Sequence, residues 1–258
     1  MFKNQRHAEI LDILKNEGFA EVRVLSERLF ASQPTIRRDL DFLEKQGYVR
    51  RSHGGAILAD DKINTPVSFR RGTRSQEKLR ICRLAATLIQ PGSLIFTDAS
   101  TTASHLASFL RESDNVTVVT NGYPICRVLA ENNVRTFSTG GRMLKSSLAF
   151  VGRQAEESVR NFNADLLFFS SSSLGTDGTI SDYSEEETAL RRAMRQHCRK
   201  TVFLCDSGKF GTVSAFRAFS LSELDYAVTD APLDASLLKA ADMILLKEQD
   251  GAFLYQNH

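Results

Sequence analysis

Between Arg6 and Leu14 the positions His7, Ala8, Ile10, Leu11, Ile13 and Leu14 recur at helical spacing, and Gly18 closes the run as a C-cap would. This predicts a first amphipathic helix. A second, shorter helix is predicted over about Arg23 to Leu29, burying Val24, Leu25 and Leu29, with Phe30-Ala31-Ser32 as a tight connection. Ser32 then stands where an N-cap belongs. Pro34 falls in the first turn of a third helix, where its missing N–H costs nothing, and Ile36, Leu40 and Leu43 form one apolar stripe out to Gly47. Gln33, Thr35, Arg37 and Arg38 surround the exposed N-terminal side of that helix. Tyr48 to Ala56 follow as a short extended stretch with Arg50 and Arg51 adjacent and a Gly54-Gly55 turn, the pattern of a wing.

From residue 93 onward the periodicity changes. Short β-rich runs (Leu94–Thr97, Val116–Thr120, Val134–Ser138, Leu166–Phe169, Thr201–Leu204, Tyr226–Val228, Met243–Leu246) alternate with helical ones (Ala103–Leu110, Ile125–Glu131, Glu185–His197). Such alternation predicts an α/β fold with a mostly parallel sheet and helices on both faces. Leu58 to Pro66 is polar and irregular, so residues 1–58 form a predicted winged helix-turn-helix domain, 59–74 a linker and 75–258 a larger α/β effector-binding and oligomerisation domain. Arg70, Arg74 and Lys78 share a face by i, i+4 spacing. That face could touch DNA flanks, although a solvated face on the helix joining head to body explains it more simply.

Composition sharpens this picture through charge asymmetry rather than totals. Residues 1–83 carry 17 Lys and Arg against 11 Asp and Glu, a net +6, whereas the remaining 175 carry 16 against 20, a net −4. A basic head on an acidic body suggests a polyanion-binding module attached to something else. With 258 residues and 42% hydrophobic content the chain can bury a substantial core, which excludes disorder and fibres. No apolar run approaches the roughly 18 residues of a membrane span, and the polar start lacks a signal-peptide h-region, so a cytoplasmic protein without a membrane partner is expected. Cys82, Cys126, Cys198 and Cys205 show no metal spacing and no disulfide framework; reduced packing residues and no metal or cofactor are expected.

The chemistry falls into two groups. Three short helices with a basic, hydrogen-bonding first turn on the third describe a helix-turn-helix, whose recognition helix aims that turn at base edges in the major groove. There Arg chelates guanine, Gln adenine, and Thr packs on a thymine methyl, while Arg50 and Arg51 would lie near phosphates. In the body, ligands of open α/β sheets bind at the carboxyl ends of the strands. Those ends are small and polar: Asp98-Ala99-Ser100-Thr101-Thr102, Thr120-Asn121-Gly122, Thr139-Gly140-Gly141-Arg142, Ser172-Ser173-Leu174-Gly175 and Asp206-Ser207-Gly208-Lys209-Phe210-Gly211. Hydroxyls at helix starts and Gly-Gly turns suit a phosphate, Lys209 adds a point charge, and Asp98 or Asn121 could hold sugar hydroxyls.

The run Arg6-x3-Ile10-x3-Leu14, then Ser32-x2-Thr35-Ile36-Arg37-Arg38-Asp39-Leu40, resembles the DeoR-type helix-turn-helix signature, and Arg51-Ser52-His53-Gly54-Gly55-Ala56 is similar to the same family's wing. The resemblance implies DNA contacts from Gln33, Thr35, Arg37, Arg38, Arg50, Arg51 and His53; a carboxylate facing phosphates is repelled, so Asp39 is expected to orient an arginine rather than touch DNA. The body resembles the DeoR-family effector domain, related in fold to ribose-5-phosphate isomerase. Thr120-Asn121, Gly140-Gly141, Gly152, the helix from Glu187 to Met194 and the Lys209 motif fit it. Ala99 and Ser100 depart from the family's Asp-Ser-Gly-Thr-Thr, and Thr188 stands where Ala is usual. Implied effector contacts are Asp98, Ser100, Thr101, Thr102, Asn121, Gly140, Gly141, Arg142, Gly175, Glu187 and Lys209.

The expectation is therefore a bacterial transcriptional regulator, a repressor of a carbohydrate-utilisation operon, whose binding to double-stranded operator DNA a phosphorylated sugar controls. One helix-turn-helix contacts too little DNA for useful specificity, so a dimer or tetramer is expected. The rival is a sugar-phosphate isomerase or lactonase carrying a DNA-binding head, with Asp98, Glu187 and Lys209 as acid–base groups. An architectural protein without effector is a third reading; it leaves the strand-end loops unexplained.

Overall fold

The computed structural model describes residues 3–46, 48–52, 54–59 and 67–258, and the chain divides into two compact units, Met1–Thr73 and Arg74–His258. In the first, helices α1 (Lys3–Glu17), α2 (Val22–Arg28) and α3 (Gln33–Lys45) pack on a small antiparallel sheet of β1 (Phe19–Glu21), β2 (Val49–Ser52) and β3 (Gly55–Leu58), ordered β1-β3-β2. The stripe read from sequence is the core: Ile36, Leu40 and Leu43 are fully buried against Ile10, Leu14 and Leu25. Gly55 is required where β3 meets β1, since a Cβ there would lie 2.2 Å from the carbonyl oxygen of Ala20. A further helix, α4 (Val67–Gly72), lies within the stretch expected as linker, and its end rests on α1, with the Gly72 Cβ position 3.4 Å from Gln5 Cα.

The second unit opens with α5 (Ser75–Ala86). Strand β4 (Leu94–Thr97) leads to the short α6 (Thr101–Ser104), β5 (Thr117–Thr120) to α7 (Tyr123–Glu131), and β6 (Arg135–Ser138) to a hairpin of β7 (Arg142–Leu144) and β8 (Ala149–Val151). Then follow α8 (Arg153–Val159), β9 (Ala164–Phe169), β10 (Ser173–Leu174), β11 (Thr179–Asp182), α9 (Glu185–Gln196), β12 (Cys198–Cys205) and β13 (Phe216–Ser220). The chain ends with β14 (Tyr226–Thr229), α10 (Ala235–Ala240), β15 (Met243–Gln249) and β16 (Ala252–Asn257). Among the described residues eight strands form one sheet, ordered β15-β16-β14-β12-β9-β4-β5-β6, parallel from β14 to β6 and antiparallel at β16 and β15. A smaller sheet joins β10, β11 and β13.

Central strands are apolar on both sides because helices cover both faces. Ile95, Phe168, Val202 and Leu204 point toward α5 and α7, while Phe96, Phe169, Phe203 and Cys205 point toward α8 and α9. The four cysteines are free thiols; burial pushes the pKa of each upward, to about 12 for Cys198. Among the described residues no helix is long and apolar enough to cross a membrane, and no cluster of metal-ligating residues occurs.

Candidate functional site

The head presents the first turn of α3. Ser32 occupies the N-cap position with φ −64°, but its hydroxyl meets Thr35 Oγ1 at 2.9 Å rather than a backbone N–H. Gln33, Arg37 and Arg38 are exposed, Thr35 is half-buried, and Arg38 Nε donates to the Pro34 carbonyl at 3.3 Å. Asp39 is buried, and it does orient an arginine, though from another helix. Its carboxylate accepts from Arg6 of α1 at 2.5 Å and meets His7 Nε2 at 2.8 Å, tying the recognition helix to α1. The wing arginines differ. Arg50 is exposed, whereas Arg51 donates to Asp41 at 2.6 Å and its N–H to Glu44, so it clamps the wing onto α3 instead of standing free for phosphate. His53 lies outside the described residues.

In the body, the loop after β4 is the centre of the site. Asp98 is buried and both its oxygens are engaged: Oδ1 accepts from the Ser100 N–H and hydroxyl, and Oδ2 from the Ser170 N–H and, at 2.8 Å, from Arg191 Nε. Arg191 also donates to Asp182 at 2.7 Å, so one buried guanidinium bridges two carboxylates from different strand ends. Burial works against its charge, yet Asp182, Asp98 and Glu187 outweigh it and raise its pKa. Asp98 thus serves as an anchor of the loop rather than a free acceptor for sugar hydroxyls. Ser100 caps α6: its hydroxyl donates to Asp98 at 2.6 Å and accepts from the Ala103 N–H at 3.1 Å. Its φ of −64° requires no glycine, and Ala99 fills a small apolar cluster with Ala149 and Val151. The departure from the family loop is absorbed by local packing.

Cations converge on Thr101 and Thr102. Lys209 Nζ lies 3.3 Å from Thr102 Oγ1, 2.8 Å from Ser170 Oγ and 3.1 Å from Asp206 Oδ2. Lys78 of α5, only 4% exposed, donates to Thr101 Oγ1 at 3.3 Å. Arg74, left-handed at φ +49° just before α5, donates to Ser207 Oγ at 2.9 Å and lies 3.7 Å from Asp230. Burial alone would raise the pKa of Asp206, but Lys209 and Lys78, with Arg74 behind them, lower it. The sequence therefore misplaced Arg74 and Lys78. The helix is not continuous, since α4 ends at Gly72 and Arg74 is left-handed, so i, i+4 spacing does not carry from Arg70 to Lys78, and Lys78 faces inward on the stripe of Ile81, Cys82 and Ala85, all buried. That i, i+3, i+4, i+7 spacing was the available signal.

The neighbouring loops are brought in to different degrees. Gly122 meets Ala99, its Cβ position lying 3.1 Å from Ala99 Cα, so the β4 and β5 loops touch. Asn121 is buried; its Nδ2 donates to the Phe150 carbonyl at 3.0 Å, while Oδ1 has no hydrogen-bond partner among the described residues. Gly141, at φ +107°, is held by close approach, since a Cβ would sit 2.7 Å from the Val151 carbonyl oxygen; Gly140 has more room. Arg142 is exposed and pairs with Glu186. Glu187 is buried in the first turn of α9, with its N–H on the Ser184 hydroxyl. Gly175 lies in the β10–β11 turn, where it accommodates Asp177, and no described contact joins it to the Thr101–Thr102 loop.

A model of the DeoR-like helix-turn-helix domain matches residues 6–62, and one of the DeoR C-terminal sensor domain matches residues 73–231. The chain belongs to the DeoR family. It is 31% identical over 240 residues to the glycerol-3-phosphate regulon repressor of Escherichia coli K12, covering 93% of this chain and 95% of that protein. It is 34% identical over 242 residues to the uncharacterized HTH-type transcriptional regulator YgbI of the same organism, covering 93% and 94%. Among solved structures, ribose 5-phosphate isomerase A from Methanocaldococcus jannaschii is similar with TM-score 0.42 and 11% identity, covering 71% of this chain and 80% of that one. As a DeoR-family member the chain has a helix-turn-helix domain followed by an α/β sensor domain with a mostly parallel sheet, as expected from sequence.

Proposed function

We propose that this DeoR-family chain is a cytoplasmic repressor of a carbohydrate-utilisation operon, active as a homo-oligomer, whose operator affinity is set by a phosphorylated sugar bound in the sensor domain. The observation carrying this reading is the convergence of Lys78 and Lys209 on the Thr101 and Thr102 hydroxyls at the start of α6. A phosphate there accepts from two ammonium groups and two hydroxyls, the charge-assisted arrangement that binds anions most strongly. Asn121 Oδ1, buried beside this loop, supplies an acceptor for a sugar hydroxyl. The repressor names carried by relatives, among them the glycerol-3-phosphate regulon repressor, support a repressor of a metabolic operon. The isomerase or lactonase reading is weaker, because Asp98 is saturated by Arg191, Ser100 and Ser170 and has no open oxygen for proton transfer.

On the DNA side, Gln33, Thr35, Arg37 and Arg38 read bases from the first two turns of α3, and Arg50 meets phosphate. A thermal-shift screen of phosphorylated sugars against their unphosphorylated parents tests the effector, since a ligand bound at 100 times its Kd raises stability by about 2.7 kcal/mol. No phosphate-dependent shift refutes the reading. Turnover of a hit moves it to the enzyme.

A further inference from the structure

Phe30, in the connection between α2 and α3, is 97% exposed. Its φ is +47°, a left-handed conformation that Gly, Asn or Asp adopts readily and that crowds the Cβ of other residues. The turn around it is fixed: Ser26 Oγ donates to the Ala31 carbonyl at 2.6 Å, and the Ala31 N–H donates to the Ser26 carbonyl at 3.1 Å. A ring entirely in water on a strained backbone contributes nothing to the head's own stability, so an Asn would serve the turn better. Phe30 also stands three positions before Gln33, the exposed residue that opens α3.

We propose that Phe30 is a specificity-determining residue that packs its ring on the C5-methyl of a thymine in the major groove, next to the bases met by the first turn of α3. The methyl is the apolar feature the major-groove edge offers, and Phe is among the side chains that contact it. Arg37 and Arg38, exposed on the α3 that Phe30 leads into, favour nucleic acid as the partner of this part of the head over an apolar protein surface. This inference rests on the DNA-binding reading of the head.

The test uses the full chain. A duplex is selected from a random library with wild-type protein, and affinities are then measured by fluorescence anisotropy at fixed salt for wild type and Phe30→Asn. Both are titrated on that duplex and on versions with single thymines replaced by deoxyuridine, which lacks the methyl. One replacement per half-site is expected to weaken wild type about fourfold, the transfer value of one methyl. Phe30→Asn is expected to bind the thymine duplex about tenfold more weakly, to be insensitive to that replacement, and to melt no lower than wild type. Equal affinity of the two proteins, or unchanged methyl sensitivity in Phe30→Asn, overturns the assignment. A Phe30→Asn chain with normal DNA affinity but altered oligomeric state gives the ring to a second copy and also overturns it. Failure of wild type to enrich any duplex removes the DNA-binding reading itself, a separate result.

Discussion

Lys78→Met keeps the length of a buried side chain and deletes its charge. In the wild type the ammonium is 3.3 Å from Thr101 Oγ1 and lowers the pKa of Asp206 together with Lys209. A hydrogen bond from a charged donor is worth about 1.5–3 kcal/mol net. The attraction of unit charges at about 4 Å and an effective dielectric of about 20 is roughly 4 kcal/mol, much of which desolvation of the phosphate returns. A loss of about 2 kcal/mol follows, or about thirtyfold in Kd. The fold suffers less, because Asp206 retains Lys209 at 3.1 Å and Arg74 at 4.0 Å, and the methionine stem keeps its contacts beside Ile81 and Cys82. Calorimetric titration of wild type and Lys78→Met with a phosphorylated sugar and with its unphosphorylated parent separates the effects. Affinity for the phosphorylated sugar should fall about thirtyfold while that for the parent stays put. A variant that binds the phosphorylated sugar within about twofold of wild type, or loses both ligands alike, would place the phosphate elsewhere.

Arg37→Ala and Arg38→Ala should each weaken the preferred duplex by about 1–3 kcal/mol and relax its sequence preference, whereas Arg50→Ala should weaken all duplexes alike and flatten the salt slope by about one; equal behaviour of the two classes in anisotropy titrations would undo the division. Arg191→Met strands Asp98 and Asp182 in the interior and should cost about 3–5 kcal/mol in denaturant unfolding, a loss below about 1 kcal/mol contradicting the bridge. Ser100→Ala should lower stability by about 1–2 kcal/mol yet leave effector affinity unchanged, since the hydroxyl's only proton goes to Asp98 and it accepts from the Ala103 N–H, leaving no donor for a phosphate. Burial lowers the pKa of His7 against the pull of Asp39. The unfolded head thus takes up a proton near pH 6.5 that the folded head refuses, and head stability should fall as pH drops below about 6.5. His7→Gln should abolish that slope in urea titrations, whatever its own stability.

The parts legible in sequence are those where one period dominates. Ile36, Leu40 and Leu43 on α3, and the paired phenylalanines of β9, announce a helix stripe and a strand buried on both faces without outside help. The strand-end loops were legible as a class, since small hydroxyl and glycine residues recur after β4, β5 and β6. What their side chains do was not, because Asp98, Ser100 and Arg191 are committed to partners up to 93 positions away. Lys78 was misplaced for a related reason: charge suggested solvent, whereas its place on an apolar stripe decided the matter. Short elements such as β1, β10 and β13 carry too few residues for a period to register; they exist by pairing, Phe19 with Ile57 and Ile180 with Phe219. The αL conformation of Phe30 left no mark in composition at all.

The helix α4 has a bearing on how heads and sensors could be exchanged between family members. Gly72 rests against Gln5 and Ala8 of α1, and Val67 is buried, so the first unit closes at Thr73. A hybrid joined just after the wing, near Leu58, would leave a stretch of α1 facing water and bring a foreign helix to cover it. One joined after Thr73 would transplant α1 with its own cover and begin the recipient at Arg74, whose hydrogen bond to Ser207 belongs to the sensor. The natural seam for recombining these regulators thus lies a helix beyond the wing.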